Sequence, residues 1–371
     1  MRGEQDLRDF GGRVQVKPVR FGLIGCGRVA RYHAQALMEI EGSELVAVCD
    51  IVPERADDFS KRYGGDSYYD HRALLEREDV DVVCIATPSG DHPAIGIDAA
   101  RAGKHVVVEK PIGLTLKEID DLIDACKSKN VKLCTVHQNR FNPAIVKLRE
   151  AVDQGRFGKF SHGSIAVRWN RGQHYYDQAK WRGTWKEDGG GLMNQCIHGI
   201  DLLRWMMGEP ESLAAFTANH FHDIEAEDVG VAAIKFGSGA LGTIEGTSNV
   251  YPLNWEETLT IFGERGSASV GGVAVNRIER WEFDDPDYSH SLGDVPDPES
   301  VYGSGHSLLL ARMAEAIRND GEPPVTGEDG RAAVEMVLAV YRSQETGSIV
   351  RFPLVQESER IAEARGLGGK R

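Results

Sequence analysis

The sequence lacks several features that would assign it to particular classes of protein. Its 371 residues contain no run that approaches the roughly 20 apolar residues of a membrane span. Residues 1–18 mix Arg, Asp, Glu and Gly without an apolar core. No internal repeat or extended low-complexity tract is present. We therefore expect a soluble, cytoplasmic protein of ordinary globular composition with no membrane partner.

Cysteine is scarce, and positive charge is in the minority. The six cysteines form no Cys-x-x-Cys pair and mostly lie in apolar runs, so we predict reduced packing residues, no disulfides and no metal site. Lys and Arg number 43 against 57 Asp and Glu, which gives a net charge of −14. This balance argues against nucleic acid as a partner. An anionic ligand would require a local cluster of basic residues.

The strongest positive feature is a dinucleotide-binding fingerprint between residues 19 and 50. An apolar strand leads into Gly25-Cys26-Gly27-Arg28-Val29-Ala30, an amphipathic helix and a second strand that closes at Asp50. Gly25 permits the tight turn, and Gly27 lets the backbone approach a pyrophosphate at the helix N-terminus. Asp50 can accept both ribose hydroxyls but would repel a 2′-phosphate, so NAD is the expected cofactor.

The rhythm of the chain predicts two domains. Apolar strands alternate with amphipathic helices up to about residue 140, which indicates a parallel sheet covered on both faces. Beyond that point strand-like segments follow one another across Gly, Asn or Asp turns, which indicates an antiparallel or mixed sheet. Two late helices, near 308–319 and 330–346, should pack back on one or both domains. We predict an α/β protein with a dinucleotide-binding domain at 18–140, a second domain at 141–354, and flexible termini at 1–17 and 355–371.

Three strand ends carry unusual polar residues where a parallel sheet gathers its ligands. Thr87 and Pro88 could line the nicotinamide ribose, although a simple strand-to-helix turn explains them equally well. Lys110 could orient a hydroxyl or shuttle a proton if burial lowers its pKa, whereas a solvated lysine is the alternative. Residues 137–143 crowd several hydrogen-bonding side chains at a third strand end.

The second domain offers a glycine-rich segment, 189–191, followed by a helix. Asn194, His198 and Asp201 fall at i, i+4 and i+7 and should share one helix face. A histidine in such a row can act as the base that accepts a hydroxyl proton, because its ordinary pKa lies near neutral pH. A structural histidine is the alternative interpretation.

These motifs together resemble the three signatures of the glucose-fructose oxidoreductase/inositol dehydrogenase (Gfo/Idh/MocA) family: residues 25–30, Glu109-Lys110-Pro111, and the segment that ends at His198 and Asp201. The resemblance covers about 18–353. It implies a Rossmann domain, a C-terminal α/β domain whose large, mostly antiparallel open sheet forms a homotetramer or dimer, and nicotinamide-dependent chemistry on a sugar-like alcohol. Lys110 and His198 take the family's lysine and catalytic histidine positions. Asn194 replaces an Asp found in many members, which favours Lys110 with His198 as the catalytic pair.

Residues 167–177, 181–185 and 191–195 resemble bacterial UDP-N-acetylglucosaminuronic acid 3-dehydrogenases of lipopolysaccharide biosynthesis. This implies oxidation at C3 of that UDP-sugar, with bound NADH reoxidised by 2-oxoglutarate. Between residues 168 and 186 basic and aromatic side chains alternate, as suits carboxylates, diphosphates and sugar faces. Solvated basic side chains on a strand and loop are the alternative. Another family substrate, such as inositol or a hexose, and a nonenzymatic dinucleotide-binding regulator also remain open.

The predicted site residues fall into two groups. The predicted cofactor-binding residues are Gly25, Gly27, Arg28, Val29, Asp50, Arg55, Thr87, Pro88, His92, Glu109, Lys110 and Gln138. The predicted substrate-binding residues are Lys110, Asn139, Arg140, Arg168, Arg171, Tyr175, Tyr176, Asn194, Gln195 and His198.

Overall fold

Short apolar runs form a first, entirely parallel sheet. The computed structural model describes residues 17–288 and 305–367. The strands of this sheet are β1 (Val19–Ile24), β2 (Ser43–Cys49), β3 (Asp66–Tyr68), β4 (Val82–Ile85), β5 (His105–Val108) and β6 (Leu133–Thr135). Their order is β3-β2-β1-β4-β5-β6, and every pairing is parallel. The carboxyl ends of these strands therefore meet along one edge of the sheet.

Helices connect these strands because parallel neighbours require a crossover. They are α1 (Ala30–Glu39), α2 (Pro53–Tyr63), α3 (His71–Leu75), α4 (His92–Arg101) and α5 (Leu116–Ser128). Apolar residues of α1 pack on one face of the sheet and those of α4 and α5 on the other, in two separate hydrophobic clusters. The loops between strand ends and helix starts are left free to line a ligand site.

The second domain begins with α6 (Pro143–Asp153) and is built on a larger sheet. Its strands are β7 (Phe160–Arg168), β8 (Pro210–Ala218), β9 (Val229–Phe236), β10 (Leu241–Thr247), β11 (Glu256–Gly263), β12 (Gly266–Gly271), β13 (Arg277–Phe283) and β14 (Val350–Arg351). The order is β13-β12-β11-β7-β10-β9-β8-β14, with β7 and β10 parallel and the other neighbours antiparallel. The predicted fold class is confirmed.

The remaining helices complete the two layers. They are α7 (Gln173–Asp177), α8 (Ile197–Met207), α9 (Gly305–Arg318), α10 (Gly327–Thr346) and α11 (Glu359–Ala364). As expected, the late helices return to the domains: α9 packs on the first sheet beside α1, and α10 packs on α8 and β8. Within the described ranges no helix combines the length and apolar character that crossing a membrane requires.

α8 and α10 pack on one face of the large sheet, and the opposite face is open. Phe216, Val231 and Leu241 project from it with 74%, 46% and 58% of their surface exposed. Exposed apolar side chains on neighbouring strands are typical of a surface that another chain covers. The oligomer that the family resemblance implies stays a prediction.

Several elements escaped the sequence pattern. β3 has three residues and α3 has five, too few for a period to be recognised. β12 (GSASVG) consists mainly of small residues and lacks the β-branched or aromatic run that indicates a strand. β12 lies away from the cavity between the two domains, whereas α3 begins at His71, which lines it and was absent from the predicted site.

Residues 355–367 correct the expectation of a flexible C-terminal tail, whereas residues 368–371, like 1–16 of the predicted flexible N-terminus, lie outside the described residues. α11 is capped by Ser358, whose side chain accepts a hydrogen bond from the Ile361 amide, and Ile361 is fully buried. One buried isoleucine is a weak sequence signal, but it is enough to dock a short helix whose ends are also hydrogen-bonded.

The prediction that Arg140 binds substrate is wrong, because its guanidinium is bound by other residues of the protein. Its guanidinium donates to both carboxylate oxygens of Asp201 on α8 at 2.8 and 2.6 Å, and to Asp329 on α10 at 3.2 Å. Trp205 covers it at 4.9 Å. These contacts fasten the end of the first sheet to the helices of the second domain.

Arg140→Ala should therefore be strongly destabilising. Removing one member of a buried ion pair leaves a carboxylate uncompensated and typically costs about 3 to 5 kcal/mol. Denaturant unfolding would measure the loss. Lys61→Ala, which removes an exposed pair with Asp58, is the control and should change stability little. A loss for Arg140→Ala as small as that of the control would show that the cluster does not hold the domains together.

Candidate active site

A cavity of about 1070 Å³ lies where the carboxyl ends of the first sheet face the second domain. This is where an open parallel sheet binds its ligands. All twelve predicted cofactor-binding residues line it. Of the predicted substrate-binding residues, Lys110, Arg171, Tyr175, Asn194, Gln195 and His198 line it as well. The first domain thus forms one half of the cavity, which we call the cofactor half. The second domain forms the other half, which we call the substrate half.

The glycine-rich loop has the geometry that a dinucleotide phosphate requires. Gly25 has a φ of +94°, and a Cβ there would lie 2.6 Å from the Ala86 carbonyl oxygen, so a side chain is excluded. Gly27 lines the cavity with open space where its side chain would be. α1 begins at Ala30, which directs its N-terminal amides toward this space. The residues present fit a pyrophosphate.

Asp50 closes β2 and is fixed by the backbone. Its carboxylate accepts hydrogen bonds from the Cys26 amide at 3.0 Å and the Val52 amide at 2.9 Å. It is nearly buried and still lines the cavity. A fixed carboxylate at this position suits the two hydroxyls of an adenosine ribose. Arg55 also lines the cavity nearby.

His92 joins two loops beside the cofactor half. Its Nδ1 lies 2.8 Å from the Pro111 carbonyl oxygen and its Nε2 lies 3.0 Å from that of Thr87. Burial lowers the pKa of His92, although both carbonyl groups oppose this effect. The ring therefore ties the loop after β4 to the loop after β5, which carries Lys110.

Lys110 reaches across to the second domain. Its Nζ donates a hydrogen bond to the backbone carbonyl of Asn194 at 2.7 Å. Burial lowers the pKa of Lys110, while the carboxylates of Glu109 and Asp188 partly oppose the shift. An ammonium held in this way retains two further N–H groups for a ligand oxygen.

His198 faces the same cavity and is 6% exposed. Burial, reinforced by the charge of Lys110, holds the pKa of His198 well below its ordinary 6.5. The ring is neutral at neutral pH and can accept a proton. His137 stacks edge-on against it at 5.5 Å between ring centroids.

The predicted row of Asn194, His198 and Asp201 is only partly a cavity face. Leu192–Cys196 is a π-helical turn and α8 begins at Ile197, so one helical period does not run through the three residues. Asn194 and His198 line the cavity, whereas Asp201 is fully buried against Arg140.

Two arginines supply positive charge to the substrate half. Arg171 donates from Nε to Gln195 at 2.9 Å and from Nη1 to Asn254 at 3.2 Å. Arg182 stacks on Tyr175 at 4.1 Å and on Trp181 at 4.8 Å. In the part of the chain that the structure describes, no carboxylate forms an ion pair with either guanidinium. Arg171 is therefore directed to neutral groups and to the cavity. Arg182 also acts on the nearby Asp188 carboxylate, where its charge opposes the rise in pKa that burial causes.

Three further predicted substrate residues do not reach the cavity. Arg168 pairs with Glu245 at 2.5 Å and with Glu256, because strand alternation turns it away from the inward-facing Val167 and Trp169. The Tyr176 hydroxyl lies 3.1 Å from the Ser248 hydroxyl, and the Asn139 amide lies 3.4 Å from the Glu257 carboxylate. All three are bound by protein instead.

Conversely, Arg182, Trp181 and Asn254 line the cavity and were absent from the predicted site. Arg182 and Trp181 belong to the basic and aromatic stretch, so the signal existed, but it did not distinguish Arg182 from Arg168. Asn254 lies in a loop between strands, and no pattern in the sequence pointed to it.

Glu109 lies behind Lys110 in a buried cluster with two histidines. His33 Nε2 is 2.8 Å and His306 Nε2 is 3.6 Å from the same carboxylate oxygen. Burial alone would raise the pKa of Glu109, but the neighbouring His306 and His33 outweigh it and hold the pKa well below its usual range. Ligand atoms around tetrahedral zinc lie about 3.3 Å apart for bonds near 2.0 Å. The 2.8 Å separation is that of a hydrogen bond, so the cluster fits a hydrogen-bonded pair of His33 and Glu109, with His306 beside it, better than a metal site.

Comparison with known proteins matches both domains to one family. The model described as "Oxidoreductase family, NAD-binding Rossmann fold" matches residues 19–137, and "Oxidoreductase family, C-terminal alpha/beta domain" matches residues 149–352. A curated relative, myo-inositol 2-dehydrogenase of Thermotoga maritima, is 28% identical over 90% of this chain and 98% of its own length.

Two solved structures are more similar. The WlbA dehydrogenase from Bordetella pertussis, in complex with NADH and UDP-GlcNAcA, is 39% identical with a TM-score of 0.84, over 91% of this chain and 99% of its own. The Chromobacterium violaceum WlbA dehydrogenase, also in complex with NADH and UDP-GlcNAcA, is 37% identical with a TM-score of 0.84, over 92% and 98%. The predicted NAD cofactor is confirmed by the Rossmann-domain match and these NADH-bound neighbours.

Asp50 should make the protein prefer NADH to NADPH. Fluorescence titration should show at least about tenfold tighter NADH binding, because the carboxylate gains charge-assisted hydrogen bonds from ribose hydroxyls and repels a 2′-phosphate. Asp50→Asn should reduce the preference, and Asp57→Asn, outside the cavity on α2, should not. Tighter binding of NADPH by the wild type would assign the dominant role to Arg55.

Proposed function

The chain belongs to the Gfo/Idh/MocA oxidoreductase family, and we propose that its substrate is UDP-N-acetylglucosaminuronic acid, oxidised at C3 to the 3-keto sugar with NAD. The observation that carries this proposal is the pair Arg171 and Arg182, two guanidinium groups without carboxylate partners among the described residues, in the same cavity as Lys110 and His198. The two WlbA structures with UDP-GlcNAcA support it.

Charge favours this substrate over a neutral polyol. The chain carries a net charge of −14, so an anion is attracted only where positive charge is concentrated and left unpaired. A UDP-uronate presents a diphosphate and a carboxylate, both suited to guanidinium forks. Tyr175 and Trp181, on which Arg182 stacks, add aromatic surface to the same wall of the cavity. Inositol would leave both arginines without a counterpart.

The residues around the reacting hydroxyl have complementary roles. When bound, the nicotinamide supplies the two-electron oxidation by accepting a hydride from carbon. Neutral His198 accepts the hydroxyl proton, and Lys110, fixed by the Asn194 carbonyl, donates hydrogen bonds to the same oxygen. Its positive charge stabilises the negative charge that develops there as the proton leaves. The arginines hold the remote part of the substrate.

The same arrangement would suit reoxidation by 2-oxoglutarate in the same cavity. A dicarboxylate needs cationic partners, and Arg171 and Arg182 are available once the ketone product has left. The keto group would take the hydride, and His198 would return the proton, which gives 2-hydroxyglutarate and regenerates bound NAD.

Lys110→Ala and His198→Ala should each reduce hydride transfer by about 10² to 10⁴-fold, since proton-transfer groups contribute on that scale. NADH affinity should change little, because it depends on the glycine-rich loop and Asp50. Stopped-flow absorbance would measure both, with Lys117→Ala on the surface of α5 as the control. A near-normal rate for His198→Ala would remove the histidine from the mechanism.

The pH dependence of the wild-type rate is a second test of the role of His198. Because the pKa of His198 is lowered, the wild-type rate should stay level through neutral pH and fall only below 6.5. His92, His137 and His306 have lowered pKa values as well, so fold stability is present above 6.5 and lost as the pH falls. Circular dichroism at each pH separates unfolding from loss of the base.

Arg171→Ala and Arg182→Ala should identify the substrate class. Loss of a charge-assisted contact of about 1.5 to 3 kcal/mol would raise KM for UDP-N-acetylglucosaminuronic acid roughly ten- to hundredfold. The arginine that binds the carboxylate should barely affect the neutral analogue UDP-N-acetylglucosamine, whereas one that binds the diphosphate should affect both. Arg168→Ala, outside the cavity, is the matched control.

The substrate panel adds myo-inositol and glucose, each with and without 2-oxoglutarate, and follows cofactor reduction. Turnover of inositol or glucose with none of the UDP-uronate would move the enzyme to the group of its inositol dehydrogenase relatives. Multiple turnovers of the UDP-uronate on bound cofactor only when 2-oxoglutarate is present would support recycling.

A further inference from the structure

The C-terminal arm, residues 355–367, lies beside the cavity in a defined position. Ile361 is fully buried, and Glu345 on α10 accepts hydrogen bonds from the Ser358 hydroxyl at 2.6 Å and the Glu359 amide at 3.0 Å. These contacts bring Arg365, one residue beyond α11, to the junction of the two domains.

Arg365 binds both sides of that junction with one guanidinium. On the side of the first domain it donates to the Glu118 carboxylate at 2.6 Å and to the Gly90 carbonyl at 2.7 Å. On the side of the second domain it donates to the Lys186 carbonyl at 2.9 Å. Its side chain is only 13% exposed. The contacts therefore form a partly buried bridge between two segments rather than a single exposed ion pair.

The two backbone segments that Arg365 joins both form walls of the cavity. Ser89 and Asp91 flank Gly90 and line the cofactor half, while Trp181 and Arg182, in the loop that leads to Lys186, line the substrate half. The Gly90 amide also donates to the Glu187 carbonyl at 3.2 Å, so the segments touch directly. A Cβ at Gly90 would lie 2.5 Å from Nη1 of Arg365. Arg365 thus fits closely against a residue that has no side chain.

We propose that Arg365 is a positioning residue that latches the loop 89–91 to the loop 181–187 and so slows the release of bound NADH. A dinucleotide that runs from Asp50 to Lys110 passes the loop after β4. In the proposed latch, its exit is faster when this loop separates from the loop that faces it. Separation breaks the hydrogen bonds of Arg365 to Gly90 and Lys186 while the guanidinium is nearly excluded from water. The inference concerns cofactor release alone and does not depend on the sugar substrate.

The latch is tested by the dissociation rate of NADH in the absence of substrate. Protein loaded with NADH is mixed with excess NAD in a stopped-flow instrument, and the loss of NADH fluorescence gives the rate. Arg365→Ala should accelerate release about tenfold or more, as the loss of charge-assisted hydrogen bonds to two walls implies. Arg351→Ala, which removes an exposed arginine on β14, should release NADH at the wild-type rate.

Two milder variants keep the test decisive if Arg365→Ala folds poorly. Arg365→Lys keeps the charge but cannot reach three acceptors at once, and Glu118→Gln keeps the carbonyl contacts while weakening the anchor. Each should accelerate release by a smaller factor, with a melting temperature near that of the wild type. Wild-type release rates in folded Arg365→Ala, or in both milder variants, would overturn the latch and leave Arg365 a purely structural residue. A failed substrate panel with faster release would reject the proposed substrate and support the latch.

Discussion

The hydrogen bond from Lys110 to the backbone carbonyl of Asn194 is the contact on which the site depends. Lys110 follows a strand of the first sheet, whereas Asn194 lies in the π-helical turn before α8 of the second domain. This contact places a cationic donor and the neutral His198 in one cavity with the glycine-rich loop. Arg140 joins the same two domains behind the cavity. The geometry between cofactor and proton-transfer groups is therefore set by contacts between the domains, not by either sheet alone.

Burial then divides the cationic groups of the cavity by function. It lowers the pKa of Lys110 and of His198, which suits groups that exchange or orient protons near neutral pH. A guanidinium keeps its charge under the same conditions, since arginine does not deprotonate in proteins. Arg171 and Arg182 can therefore provide permanent positive charge in the cavity, while the charges of Lys110 and His198 can change with pH or on binding of a ligand. In the proposed function, the separation of an anion-binding end from a proton-transfer end follows from the residue types.

The residues of the cofactor half could be predicted from the sequence. The carboxyl ends of all strands in a parallel sheet lie at the same edge, however far apart the strands are in the sequence. Every predicted cofactor residue lines the cavity. The substrate half was predicted less well. Arg140 and Arg168 have the residue type expected of a ligand-binding group, but carboxylates 61 and 77 positions away neutralise them. A sequence shows that an arginine is present and not which distant acid pairs with it. Arg182 lines the cavity and forms no ion pair among the described residues, whereas Arg168 forms two and does not reach the cavity.

The order of the C-terminal arm also could not be predicted from the sequence, because it depends on contacts with distant residues. A six-residue helix has almost no stability of its own, so its charged sequence gave no sign of order. Its structure comes from Ile361 in the core and from the contacts of Arg365, one of which joins residues 247 positions apart. Arg365 can donate to the Gly90 and Lys186 carbonyl groups at the same time only when these two residues are close together. In the proposed latch, docking of the arm and closure of the cleft are therefore linked equilibria, and any interaction that stabilises the docked arm stabilises the closed cleft by its differential free energy for the two states.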